Sequence, residues 1–328
     1  KPFAAICPMT SIFAVTDNQD ILDLQPRLAA EDAGVRRIAL IDLADLEEPD
    51  GLLWLVDRLR QDPAEEVRAE AARLLEAWED EDVVQALCEA LTDPSLAVQS
   101  AAAQSLSLLK TEAAGQVILP WTDHADVSVR IAAFRALREL RFAAAAPAAV
   151  SALNDADASV RREAVGVLGW LKQLDALPAL ARLASADPDT EVRRAATGAL
   201  GLASSAEVLP ALRQALRDDA WQVREEAATT LGKVGHIDAG SALVEALSDD
   251  YWQVRLRATR SLGRLRFAPA LDALIDTLGH RISNLRKEAA LALGELHDRG
   301  AVAALQAAQD DGDPEVRKAV RIALSQLQ

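Results

Sequence analysis

The side chains of this 328-residue chain with the means to do chemistry are four histidines, two cysteines and a recurring set of arginines and aspartates. A metal centre gathers several imidazole, thiolate or carboxylate ligands in one shell. His124, His236, His280 and His297 are instead spread over turns and helix ends far apart in the chain. Cys7 and Cys88 lie 81 positions apart, with no CxxC and no nearby histidine cluster, so neither a disulfide framework nor a zinc site is expected. Cys7, beside Pro8, has the character of a thiol ligand or redox site, yet two distant cysteines hold an iron–sulfur cluster only with a second subunit. Nucleophile elbow, Walker loop, zincin helix and Rossmann fingerprint are all absent from the sequence. The expectation is no catalytic residue, no metal ligand and no cofactor.

The elements that would position a site derive from one repeat. Asp218-Asp219-Ala220-Trp221-Gln222-Val223-Arg224 is nearly rewritten as Asp249-Asp250-Tyr251-Trp252-Gln253-Val254-Arg255, 31 residues on. The same position recurs at Val35, Val67, Val98, Val129, Val160, Val192, Val223, Val254, Leu285 and Val316. Ten units of this period predict a solenoid. Within each unit a leucine-rich helix A, as at Leu177, Leu180 and Leu183, ends in an Asp-rich turn, and helix B starts near the Val-Arg pair. Alanine at +4 (Val320 excepted) and leucine at +8 put a small-residue stripe on the core face of helix B. Gly169, Gly201, Gly232, Gly263 and Gly294, at +9, are read as marking its end. Aspartate at −5 (Asp62, Asp93, Asp155, Asp187, Asp218, Asp249, Asp311) is expected to cap helix B. Arginine follows the valine in nine units, Gln99 being the departure, and predicts an Asp–Arg ladder joining neighbouring repeats. Residues 1–19 match no repeat. Pro2 and Pro8 point to a mostly non-helical lead-in whose Phe3, Ile6, Met9, Ile12, Phe13 and Val15 would cap the stack. Residues 20–328 form one repeat domain on this reading.

A net charge of −16 and a pI near 4.7 disfavour a generic nucleic-acid binder, which needs a basic footprint. The acidity is concentrated in residues 1–93, with 22 acidic and 8 basic side chains. No apolar run approaches the length of a membrane span. A reducing cytosol is the simplest compartment.

The pattern Asp-Pro-x-x-x-Val-Arg-x-x-Ala-x-x-x-Leu-Gly, at Asp187–Gly201 and nearly again at Asp62-Pro63 and Asp313-Pro314, resembles HEAT repeats. More narrowly it is similar to the short type named after phycobilisome lyases. The resemblance implies a right-handed α-solenoid with A helices outside, B helices on the concave side and a binding groove along the latter. It leaves three functions open: a non-catalytic scaffold, adaptor or maturation chaperone for a protein partner; a subunit like the E/F-type bilin lyases, or a handler of tetrapyrroles or iron–sulfur clusters; and a di-iron enzyme like deoxyhypusine hydroxylase. The last would place His-Glu pairs at +2 and +3. Those positions read Arg162-Glu163, Arg194-Ala195, Glu225-Glu226, Leu256-Arg257 and Lys287-Glu288, and no His-Glu dipeptide occurs anywhere.

A scaffold should bind where its repeats differ. Trp221, Tyr251 and Trp252 stand just before helix B in adjacent units, either as partner anchors or as covers over inter-repeat gaps. Helix B positions +2, +3 and +6 carry Arg73, Arg135, Arg162, Arg194, Arg257 and Arg260, a basic stripe suited to an acidic partner segment, or else a solvated face of local ion pairs. Gly166 and Gly198 at +6 leave room for a ligand or tighten the curvature. Glu79-Asp80-Glu81-Asp82 reads as a solvated turn or a docking point for a basic partner. The binding residues expected are Trp221, Tyr251, Trp252, Arg257 and Arg260, with neither nucleic acid nor membrane as partner.

Overall fold

The computed structural model describes residues 16–328, all helix and turn with no strand among them. Cys7 and the apolar side chains from Phe3 to Val15 lie outside the described residues. Ahead of the first helix, Thr16 donates to Asp50 (2.7 Å), and Asn18 Oδ1 accepts the N–H groups of Asp20 and Ile21 to cap that helix.

The chain divides into two compact units, one ending at Ser151 and one running Ala152–Gln328. In the first, odd and even helices alternate as A and B: α1 (Gln19–Leu28), α2 (Ala33–Asp45), α3 (Leu52–Gln61), α4 (Glu65–Leu74), α5 (Glu81–Ala90), α6 (Leu96–Ser107), α7 (Glu112–Ile118) and α8 (Val127–Leu140), with α9 (Ala146–Ala152) at its end. Helices α2, α4, α6 and α8 stack in order, as do α3, α5 and α7. The second unit begins with α10 (Ala158–Trp170). It then pairs α11 (Leu177–Ala186) with α12 (Thr190–Ala199), α13 (Leu209–Ala215) with α14 (Trp221–Val234), and α15 (Gly240–Ala246) with α16 (Trp252–Leu265). The last pairs are α17 (Leu271–Leu278) with α18 (Ser283–Leu296), and α19 (Val302–Ala307) with α20 (Pro314–Gln326). Helices α10 to α20 of even number pack one on the next. Each unit is a stack of helix pairs contacting sequential neighbours, the α-solenoid the repeat predicts.

The core is the stripe at 0, +4 and +8. Val223, Ala227 and Leu231, then Val254, Ala258 and Leu262, are fully buried, as are their counterparts in most units. The exceptions fall in the first and last repeats: Val35 is 37% exposed and Leu324 is half-buried.

Two expectations about helix B need correction. Gly169, Gly232, Gly263 and Gly294 lie within the last turn of helix B in ordinary helical conformation and do not end it, whereas Gly201 falls just beyond the end of α12. They admit the next B helix: a Cβ on Gly232 would stand 2.3 Å from Ser261 Oγ, and on Gly263 2.8 Å from Ala292 Cα. Helices α2, α8, α10, α14, α16 and α18 close on a left-handed residue at +12: Glu47, Arg141, Lys172, Gly235, Arg266 and His297 in turn. The aspartates at −5 are likewise not the helix caps. Asp62, Asp93, Asp155, Asp187, Asp218, Asp249 and Asp311 accept the N–H two residues on, within the turn. Capping falls to −3, where Asp32, Asp126, Asp157, Asp189 and Asp313 accept N–H groups of the first helical turn.

The carboxylates at −5 are thereby free to join repeats. Bidentate pairs run from the arginine of one repeat to the aspartate of the next at Arg36–Asp62, Arg68–Asp93, Arg161–Asp187, Arg193–Asp218, Arg224–Asp249 and Arg286–Asp311. Each arginine also donates through Nη1 to carbonyls of its own turn, as Arg224 does to Asp218 and Asp219. The predicted ladder is present in these rungs.

Candidate functional site

The aromatic side chains of the second unit meet at the start of its B helices. Trp221 opens α14 and Tyr251 immediately precedes α16, so one repeat's step brings them together. Their rings stack with centroids 5.5 Å apart and planes 12° from parallel. The Arg224 guanidinium sits 5.6 Å from the Tyr251 centroid while holding Asp249. Hydrogen bonding to Asp249, opposed by burial, raises the Arg224 pKa. Tyr251 remains 45% exposed, whereas Trp221 and Trp252 are half-buried. Trp221 thus packs on a residue of the following repeat, and Tyr251 keeps part of its surface open to solvent.

Arg257 and Arg260 stand elsewhere on the same helix, and each bridges repeats. Arg257 Nε donates to Glu225 of the preceding repeat (3.0 Å), and Arg260 grips Glu288 of the following one at 2.7 and 2.8 Å. Burial and the Glu288 charge push the neighbouring Glu295 carboxyl up. The basic stripe is thus largely compensated within the chain. Arg73 and Arg194 pair with Glu70 and Glu191 one turn away. Gly198 opens no ligand space, since a Cβ there would meet Glu226 Oε1 of the next repeat at 2.8 Å.

The other chemistry-bearing residues serve the turns. Nδ1 of His124, His236 and His280 accepts the N–H two residues on, the task aspartate performs in other repeats, and His297 takes a left-handed helix end. His124 also stacks on Trp121. No group of three His, Cys, Asp or Glu able to hold a metal ion occurs among the described residues. Cys88 is buried, which pushes its thiol up to about 12. In the acidic run, Glu79 accepts the backbone N–H groups of Lys110 and Thr111 in the next repeat (2.9 and 2.6 Å), so it is a structural clamp. Sequence reasoning misses Trp170, 54% exposed near the end of α10, and Leu174, 58% exposed just beyond it. A tryptophan at +10, absent from the other repeats, is the available signal.

Among known proteins, the family model described as HEAT repeats matches residues 52–126, 115–201, 182–255 and 241–325. No curated protein matches. Of solved structures, the chain is similar to an engineered protein at 23% identity and TM-score 0.51, covering 94% of this chain and 98% of that one. It is similar to the E. coli protein YibA at 21% identity and TM-score 0.60, over 81% and 98% of the two chains. It also resembles Kap95p, solved with RanGDP, at 16% identity and TM-score 0.69, covering 98% of this chain and 50% of that one. The chain thus spans half of Kap95p, and at these identities the likeness is one of fold. No helix among the described residues is long and apolar enough to cross a membrane.

Proposed function

The chain belongs to the HEAT-repeat family, and from that premise we propose that it is a non-catalytic scaffold, adaptor or maturation chaperone that holds a protein partner on the concave, B-helix side of repeats seven and eight. The observation that carries this reading is the Trp221–Tyr251 stack with Tyr251 left 45% exposed. A ring held flat by stacking and by a cation loses little freedom on binding and offers a rigid apolar face, the character of an interface anchor. Trp252 adjoins it, and Arg257 and Arg260 contribute their exposed edges, with side chains 36% and 40% exposed. Their glutamate partners leave only part of each guanidinium for an acidic partner segment.

Kap95p, a relative in fold, is known in complex with RanGDP, and by analogy of fold a protein ligand suits this chain better than nucleic acid, which its charge of −16 repels. A cytoplasmic location and the short phycobilisome-lyase-type repeat are parts of the same proposal. The test is capture of host proteins on the tagged chain with an absorption spectrum of the eluate. A stoichiometric protein and a colourless eluate support the scaffold. A coloured eluate supports the lyase-like or cofactor-handling alternative instead.

A further inference from the structure

The ladder of the second unit has one rung with half its parts. Where Asp187, Asp218, Asp249 and Asp311 face the arginine of the preceding repeat, the turn before α18 carries His280. Its Nδ1 takes over one duty of the missing aspartate, accepting the Ile282 N–H at 3.0 Å. The other duty is left undone. Arg255, whose counterparts each hold a carboxylate by two bonds, has no hydrogen bond or ion pair through its guanidinium among the described residues, and its Nε is enclosed from solvent without an acceptor.

The first unit shows how such a change is compensated. There the turn before α8 also has histidine, His124, in place of aspartate, but the preceding repeat has exchanged its arginine for Gln99, so charge and acceptor vanish together. Gln99 still donates to the carbonyl of Asp93 in its own turn. At Arg255 only the anion has gone. An enclosed N–H without an acceptor is costly, and this chain has a carboxylate at every comparable arginine of the second unit but this one and the last.

No neighbour substitutes. Asp249, a carboxylate on which the Arg255 charge acts, is engaged by both Nε and Nη2 of Arg224 and by the Tyr251 N–H. The other charges around His280 are Arg281 and Arg286, and burial together with these cations depresses the His280 pKa, so no countercharge comes from that side.

We propose that Arg255, at the rung His280 leaves open, is a binding site for one carboxylate supplied from outside the chain. Nη1 and Nη2, which are not enclosed as Nε is, form the edge of its planar fork that an outside carboxylate can meet by two parallel bonds. The donor is either a free small acid or an aspartate or glutamate side chain of a bound protein. The site belongs to the ladder and not to the aromatic surface, and it is tested without a partner.

The test uses the full ¹⁵N-labelled chain at pH 7, with sodium acetate exchanged for sodium chloride at constant ionic strength. The Arg255 Nε–H signal is identified by its loss in Arg255→Lys. It should shift saturably with acetate while that of Arg286, whose rung Asp311 fills, stays still. His280→Asp should abolish the response and raise the melting temperature by closing the rung from within. His280→Asn keeps an acceptor for Ile282 without adding charge, so it should retain the response. A saturating shift at lower concentration with acetyl-Ala-Asp-Ala-amide than with acetate assigns the site to an acidic side chain, and the reverse order to a free acid. The proposal is overturned if Arg255 moves no more than Arg286 with either probe, or if His280→Asp responds as the parent does. Loss of partner capture on changing Trp221 and Tyr251 would not bear on it.

Discussion

Arg36 holds Asp62 across the boundary of two repeats by Nε and Nη2, at 2.8 and 2.7 Å, with both side chains almost wholly buried. Asp62 at the same time accepts the Ala64 N–H and a weaker bond from Arg58. One carboxylate therefore shapes its own turn and anchors the repeat before it. Removing one partner leaves the other charge buried, a loss of about 3–5 kcal/mol in comparable cases. Asp62→Asn is expected to approach that range in urea unfolding. Arg257→Ala, which breaks a pair with side chains 36% and 21% exposed, should cost under about 1 kcal/mol.

The glycines that admit neighbouring helices give a second contrast. Gly232→Ala places a methyl group 2.3 Å from Ser261 Oγ and 3.1 Å from its Cα, so helix α16 must shift. A destabilisation of about 1–3 kcal/mol is expected. At Gly279 the nearest atom to an added Cβ is 3.5 Å away, and Gly279→Ala should be close to neutral when thermal melts of both variants and the parent are compared.

How much of the molecule is legible in its sequence differs by kind of residue. Val223, Ala227 and Leu231 recur at helical spacing, and that period is a property of one helix, so the core stripe and the fold can be read directly. Gly263 misleads because a glycine near a helix end signals both termination and close approach, and only the position of Ala292 decides. The true ends, Arg141, Lys172, Arg266 and His297, carry no glycine, so their left-handed backbone leaves no trace in residue type. Arg257 and Arg260 fall on the helix expected of them. Their glutamates lie one repeat away on either side, a pairing that depends on how repeats stack. The Arg255–His280 mismatch is written in the sequence, but it acquires meaning only once the ladder pairs arginine with the next repeat's aspartate.

The ladder sets an acid limit. The Asp311 carboxyl is held below its usual range by the hydrogen bonds from Arg286, with burial opposing. At Asp62, Asp93, Asp218 and Asp249 burial pushes up more strongly, yet the arginine and backbone donors together still bring each carboxyl down. A carboxylate lowered in the folded chain stabilises it fully above the unfolded pKa, about 3.9, and that stabilisation is lost as pH falls through the folded value. The melting temperature should accordingly change little through the rungs from roughly pH 5 to 8 and fall steeply below about pH 4. Asp311→Asn should make that acid limb shallower.

Cys88, buried with its thiol raised to about 12, should resist alkylation by iodoacetamide at pH 8 in the folded chain and react on unfolding in urea. Mass spectrometry of the peptide containing Cys88 reads both states.

The partner surface is tested most directly by comparing protein capture on the parent chain and on the triple variant Trp221→Ala, Tyr251→Ala, Trp252→Ala, with far-ultraviolet circular dichroism of both. These residues lie outside the Val-Ala-Leu stripe, so helicity should be retained. The account predicts a stoichiometric protein retained by the parent and lost by the variant at equal helicity. Equal retention by the two chains would contradict it.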